Sequence, residues 1–295
     1  MYRNIKGLLE LAQERKVNLS QIVLDNETKH SGKQPEEILD IMKYRYEVMK
    51  NSTEKALRKP TNPEGNLICG IASAQYSYTM NNQDTLCGSF INLVMARALS
   101  SSEVNASMGK ICAMPTAGSC GIVPAVVISV AEKQQATDQQ LLMALITASG
   151  LGAIVTENAT VAGAEGGCQA ECGVAAAMAA AAAVELCGGT PSQAITAFSL
   201  SLMNIMGLVC DPVGGLVQIP CAQRNASQAV NALLSADLAM AGVQSYIDAD
   251  EVVEAMYKVG KLLPVQLKET ALGGIAATCS GACLIKTIQE QDKSV

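Results

Sequence analysis

Three cysteines in this 295-residue chain stand where helices break: Gly-Gly-Cys168, Cys210-Asp211-Pro212 and Pro220-Cys221. Cys168 is followed by Gln169-Ala170-Glu171-Cys172-Gly173 and then by an alanine-dominated run, Val174 to Leu186, that predicts a buried helix packed closely against its neighbours. Cys221 opens a second helical pattern, Ala222 to Ala241, while Cys210 lies in a loop fixed by Pro212 and loosened by Gly214 and Gly215. At turns and helix N-termini, backbone N–H groups and the helix dipole favour a thiolate and can stabilise a negatively charged inorganic cluster. The competing reading is three ordinary buried thiols, since free cysteine packs as a small hydrophobe. Against it, none of the trio sits mid-helix, two abut proline or Asp-Pro, and the surroundings hold enough glycine for a cofactor to approach the backbone. Separations of 42 and 11 residues match neither the short pairs of a zinc finger nor the ferredoxin runs. A site built on them is assembled by the fold.

A second stretch with chemical potential is the loop Pro115-Thr116-Ala117-Gly118-Ser119-Cys120-Gly121, which leads into the helical pattern Ile122 to Glu132. A small-residue loop that delivers its N–H groups into a helix N-terminus is a physical trap for an anion such as a carboxylate. As a bare pattern it reads equally well as a tight turn, with Cys120 a packing residue. Asn158 and Glu165 lie on the polar, glycine-rich approach to Cys168, where they could serve as partners or as helix caps. Arg224 is the only basic residue between Lys133 and Lys258. Beside Cys221 it could offset a thiolate-bound cluster, hold a carboxylate, or form a structural salt bridge.

Three motifs carry a family resemblance: Gly163-Ala164-Glu165-Gly166-Gly167-Cys168-Gln169, Leu208-Val209-Cys210-Asp211-Pro212-Val213, and Gln218-Ile219-Pro220-Cys221 with Arg224-Asn225-Ala226. Together with the Pro115–Gly121 loop they resemble the α chain of the bacterial iron-sulfur L-serine dehydratases, over roughly Leu67 to Thr278. The resemblance implies that Cys168, Cys210 and Cys221 hold a [4Fe-4S] cluster whose fourth iron is open to L-serine. It implies dehydration of L-serine to aminoacrylate, and then pyruvate and ammonia. It turns Thr116, Ser119 and Gly121 into candidates for binding the substrate carboxylate, with Asn158 and Arg224 beside them. It also implies a separate β chain and an oligomer, because the family's Ser-His-Thr-x-Gly-Pro motif is absent and the sole histidine, His30, falls in the polar stretch Asn26 to Gln34. No catalytic base is assigned to this chain. In single-chain relatives a terminal cysteine folds back onto the open iron, whereas Cys279 and Cys283 are followed by a tail to Val295. Where the family is expected to carry two glycines this chain has Cys69-Gly70.

The elements that must position these residues are helical. Capped segments of 3.6-residue period fill the chain, no stretch sustains period-2 alternation, and the expected fold class is all-α. Pro35 opens a helix to about Arg58, Thr137–Gln140 and Thr190–Gln193 are capping boxes, and Asp248 to Lys261 is amphipathic. The helix after Thr137 is expected to end near Gly150, and that after Thr190 near Gly207. Residues 1–60 read as a helical arm, Lys59 to Asn66 as a linker, and 67–285 as a catalytic core within one domain spanning 1–295. Composition agrees: 49% hydrophobic, 16% charged, no Trp and two Phe suit a close-packed helical core.

A net charge of −6 without a basic patch argues against nucleic acid and anionic membranes as partners. Eleven cysteines, an odd number, and no charged-then-apolar leader at the start point to reduced thiols in a cytoplasm. The longest strictly apolar run, Val174 to Val184, is far short of the ~20 residues of a membrane span. Two other classes stay open. A pyridoxal-phosphate-type amino-acid dehydratase needs a Schiff-base lysine beside a phosphate loop, and Lys110 is the only lysine between Lys59 and Lys133. A zinc-binding, non-catalytic scaffold would use the same cysteines in a closed site, with Cys172 as the fourth ligand.

Overall fold

The computed structural model describes residues 2–62, 65, 67–82 and 84–292. They form α1 (Ile5–Arg15), α2 (Leu19–Ser31), α3 (Pro35–Arg58), α4 (Ile71–Asn81), α5 (Gly88–Ala106), α6 (Ile122–Gln134) and α7 (Asp138–Asn158). After these come α8 (Gly163–Gly166), α9 (Val174–Leu186), α10 (Pro191–Met203), α11 (Cys221–Met240), α12 (Ala249–Leu262) and α13 (Cys279–Asp292). The fold is all-α, and the sole β-type pairing among the described residues is an isolated parallel bridge between Cys210 and Lys268.

The bundle is built around α9. Alanine's single methyl lets neighbouring backbones come close, and α6, α7, α10 and α11 all pack against this helix. From Val174 to Val184 no residue is more than 2% exposed. Together with the residues just before it, α9 is long and apolar enough to cross a membrane, as is α7. In each the apolar surface faces other helices, with 83% and 67% of the respective windows buried inside the protein.

Local sequence explains where the helices start. Gln34 and Glu37 cap α3 reciprocally, with Pro35 at its first position. The Thr137 and Thr190 hydroxyls accept from the N–H groups of Gln140 and Gln193, each at 3.2 Å, opening α7 and α10. Helix α7 runs two turns past the end expected at Gly150. A Cβ at Gly150 or Gly152 would lie 2.4 Å from Val23 or 2.7 Å from Met178, so these glycines allow close packing rather than a stop. The polar segment Thr156-Glu157-Asn158 is therefore the end of a helix, not a loop leading to Cys168.

The first sixty residues contribute to the main core. Ile5, Leu8, Leu19, Ile22, Ile38, Met42 and Met49 share one apolar cluster with α9. Of the segment read as a linker, Pro63, Glu64 and Asn66 lie outside the described residues. Its Thr61 donates its N–H to the fully buried Glu103 carboxylate at 2.7 Å, and the same carboxylate accepts from Ala72 N at 3.3 Å near the start of α4.

Candidate functional site

Between α8 and α9 the backbone makes an unusual approach to Cys168. Gly167 takes φ of 78°, and a Cβ there would lie 2.7 Å from Leu208 O, so glycine is needed on both counts. Past Cys168 the chain enters a π-helical turn, Gln169–Gly173, before the regular α9 begins. The wider turn re-aims side chains relative to an α-helix and is common at functional sites. Gln169 is turned into the core, where its Nε2 donates to Gly166 O at 2.8 Å and Met256 O at 3.3 Å. Its Oε1 accepts from Gly207 N at 2.8 Å. That amide ties the chain around Cys168 to the loop that leads to Cys210.

Cys210 lies in extended chain. Its N–H donates to Leu267 O at 2.9 Å and its carbonyl accepts from Glu269 N at 2.7 Å, which stitches residues 265–269 alongside it. Cys221 begins α11 directly after Pro220. Arg224, one turn further on, donates to Val209 O at 2.8 Å and pairs with Asp211 Oδ1 at 2.8 Å. Asp211 is almost fully buried, and its Oδ2 accepts from Ile275 N at 2.7 Å. The salt-bridge reading of Arg224 is thus realised, and the same guanidinium also acts on the thiols.

Electrostatics gather these groups into one pocket. The Cys168 thiol is held below its usual value by a hydrogen bond from Cys172 and, after the opposing cost of burial, by the charge of Arg224. Cys210 is pushed well up by burial and then by the charges of Cys168, Glu171 and Glu269. Cys221 is pushed up to about 12 by burial and by Cys168 and Glu171. Burial also raises the Glu171 carboxyl, with Glu269 adding to the effect. Cys210 and Cys221 thus feel the charge of Cys168, and all three thiols feel that of Glu171, with Arg224 acting on Cys168 and Cys221; thiols and carboxylates are the donor types that could hold a metal. Among the described residues no three Cys, His, Asp or Glu side chains are gathered as closely as the ligands of a single metal ion.

The Pro115–Gly121 loop closes another side. Thr116 Oγ1 donates to Glu171 Oε1 at 2.5 Å and shares a 3.0 Å hydrogen bond with Ser119 Oγ. Asn225, one residue after Arg224, accepts from Gly121 N at 2.9 Å and donates to Gly118 O at 2.7 Å and Cys221 O at 2.9 Å. A Cβ on Gly118 would lie 2.6 Å from Glu171 Oε1, and one on Gly163 would lie 3.1 Å from both Cys210 Sγ and Glu171 Oε2. The glycines let the Glu171 carboxylate and the Cys210 thiol pack directly against the backbone.

Of the residues singled out from sequence, the fold brings together Cys168, Cys210, Cys221, Thr116 and Arg224. Ser119 is fully buried in the loop's own turn, and the Gly121 N–H is directed at Asn225. The Ala117 and Gly118 N–H groups, by contrast, make no hydrogen bond within the described residues. Asn158 is elsewhere: its Nδ2 donates to Ile154 O and to Arg3 O, both at 2.9 Å, ending α7 and anchoring the N-terminus. Glu165 and His30 are exposed, and Lys110 donates to the Tyr44 hydroxyl with its ammonium over that ring. Glu171, Gln169, Asn225 and Glu269 were not identified as site residues from sequence. Gln169 and Glu171 were visible as polar residues inside an apolar run; Glu269, in an ordinary polar stretch, gave no signal.

A sequence profile of the serine dehydratase alpha chain matches residues 14–276, which include all three cysteines and the loop. The chain belongs to the serine dehydratase alpha-chain family. It is 44% identical over 288 residues to the probable L-serine dehydratase alpha chain of Bacillus subtilis, covering 98% of this chain and 95% of that one. With the L-serine dehydratase alpha chain of Peptoniphilus asaccharolyticus it shares 46% identity over 281 residues, 95% of this chain and 96% of the other. The L-serine dehydratase of Streptomyces coelicolor is 33% identical over 277 residues, a match that spans 93% of this chain and 60% of that protein.

Proposed function

We propose that this chain is the cluster-bearing subunit of a cytoplasmic L-serine ammonia-lyase, with Cys168, Cys210 and Cys221 holding a [4Fe-4S] cluster. A separate β chain completes the active site and the assembly is an oligomer. The observation that carries this reading is the convergence of three thiols, from three separate elements, on one pocket whose acids outnumber its single cation, Arg224. Such donors suit an iron cluster: thiolates are soft ligands, and Arg224 acts on Cys168 and Cys221, where it would offset the negative charge of a thiolate-bound cluster. A closed zinc site would need a fourth thiolate donor, whereas Cys172 donates its proton to Cys168. Lys110, engaged with Tyr44, is not placed as a Schiff-base lysine.

When bound, the cluster supplies Lewis acidity toward the serine hydroxyl, a poor leaving group by itself. The chain's own residues do the rest of the holding. The Ala117 and Gly118 N–H groups, unpaired among the described residues, offer a place for the substrate carboxylate at the entry to α6. Arg224 offsets the negative charge of the thiolates while it anchors Asp211. Loss of the α-proton and of the hydroxyl gives water and aminoacrylate, which tautomerises and hydrolyses to pyruvate and ammonia. The base that takes the proton is expected on the β chain, because His30 is exposed at the end of α2, away from the thiols.

The test is anaerobic reconstitution with iron and sulfide, read as iron content and visible absorption, followed by a pyruvate assay with and without the β chain. Cys168→Ala, Cys210→Ala and Cys221→Ala should each lose the cluster absorption and activity, while Cys187→Ala, at the end of α9, keeps both. Air should inactivate the complex, and iron with a thiol reductant should restore it. Full iron in Cys210→Ala would refute the ligand set; full serine deamination by the α chain alone would refute the need for a partner.

A further inference from the structure

We propose that Glu171 is a positioning residue: its carboxylate grips Thr116 and thereby fixes the Pro115–Gly121 loop at a set distance from the thiols. The inference deepens the dehydratase reading and rests on it for its kinetic consequences. The Thr116 Oγ1 hydroxyl donates to Glu171 Oε1 at 2.5 Å, which joins the loop directly to the π turn. Two glycines bracket the same carboxylate, since a Cβ on Gly118 would lie 2.6 Å from Oε1 and one on Gly163 would lie 3.1 Å from Oε2. The carboxylate occupies a slot between the loop and α8 that any larger residue would narrow. The π turn is what turns Glu171 to this slot while its neighbours Ala170 and Cys172 stay buried.

The grip extends beyond one bond. Thr116 passes it to Ser119 through their 3.0 Å contact, which orders the turn carrying the unpaired Ala117 and Gly118 N–H groups. Those N–H groups are where the carboxylate of an α-amino acid would be received, so holding Thr116 sets the orientation of the binding loop. Glu171 acts through Thr116 and needs no contact with substrate.

Two measurements test this. In hydrogen exchange on the purified α chain, Glu171→Ala should speed exchange of the hydrogen-bonded Thr116, Cys120 and Gly121 amides about tenfold, the effect of losing the bond that holds the loop, and leave α10 unchanged. Glu171→Gln should stay within about threefold of wild type, because its amide oxygen still accepts from Thr116. In the reconstituted complex with the β chain, Glu171→Ala should raise KM for L-serine about tenfold with a smaller change in kcat and unchanged iron content, and Glu171→Gln should rescue it. Thr116→Val should reproduce Glu171→Ala, and the double variant should be no worse than either single one. If Glu171→Gln fails as completely as Glu171→Ala, charge and not grip is at work and the proposal falls. Unchanged loop exchange in Glu171→Ala overturns it equally. A wild-type complex that cannot deaminate serine would sink the dehydratase reading alone, leaving the exchange result to decide the role of Glu171.

Discussion

The pocket has two unlike walls. One is α9 with its π turn, enclosed by four helices and buried along almost its whole length. The other is the segment 263–278, which crosses Cys210 with nothing longer than single 3₁₀ turns. There Val265 and Leu272 are 61% and 68% exposed, with Leu262 at 84% just before them. Glu269 and Ala271 have φ of 63° and 56°, a region that side chains disfavour. Hydrogen bonds tie this segment to Cys210 and Asp211, in place of the apolar packing that fixes α9. The difference teaches that the fold concentrates its packing behind Cys168 and leaves the opposite side thinly held, with apolar side chains facing outward. An exposed apolar margin next to a reactive pocket is what a partner chain would cover.

Removing the cation that holds Asp211, and through it the thin wall, should have the largest effect. Arg224→Ala leaves the 3%-exposed Asp211 side chain buried without its cation, and loss of one partner of such a pair costs about 3–5 kcal/mol. Urea unfolding would measure it, and a loss below about 1 kcal/mol would mean that water replaces the guanidinium freely. Next, Ala180→Leu inside α9 should overpack the dense wall and cost about 1–3 kcal/mol. Leu272→Ser on the thin wall should stay within about 0.5 kcal/mol of wild type, yet weaken β-chain binding in a titration. Equal destabilisation by Ala180→Leu and Leu272→Ser would erase the contrast.

The smallest effect is one of pH. Glu185, near the end of α9, has its carboxyl raised by burial despite hydrogen bonds from Thr147 Oγ1 at 2.6 Å and Ser20 N at 3.5 Å. An acid whose folded value is raised holds its proton more tightly folded than unfolded. Its contribution is complete below the ordinary glutamate value and is lost as pH rises through the folded one. Glu185→Gln should flatten that part of the stability curve above the ordinary glutamate range, measured by thermal unfolding at a series of pH values. A curve parallel to wild type would show that Glu185 does not titrate in this window.

Much of the scaffold was readable from residue types alone. Pro35 and the threonine capping boxes state their helix starts locally, so the start of α3, α7 and α10 needs no tertiary knowledge. The end of α7 did need it, because Gly150 looks like a stop until Val23 is seen packed on it. Within the site, the cysteines announce themselves through the glycines and prolines beside them. Glu269 does not, since only the bridge between Cys210 and Lys268 brings it from about 60 residues away. Asn158 misled for a local reason: an asparagine before a glycine-rich stretch looks like a ligand, whereas its amide is used on the preceding turn of its own helix.

Asn225 carries a further consequence. One side-chain amide holds Gly121 N, Gly118 O and Cys221 O together, so the hydroxyl-bearing loop and the start of the thiol-bearing helix share a single joint. Neither can move on its own without breaking a bond worth about 1 kcal/mol or more. The thin wall has no such joint to that loop or helix: beside Cys210 it is held by the backbone hydrogen bonds to Leu267 and Glu269.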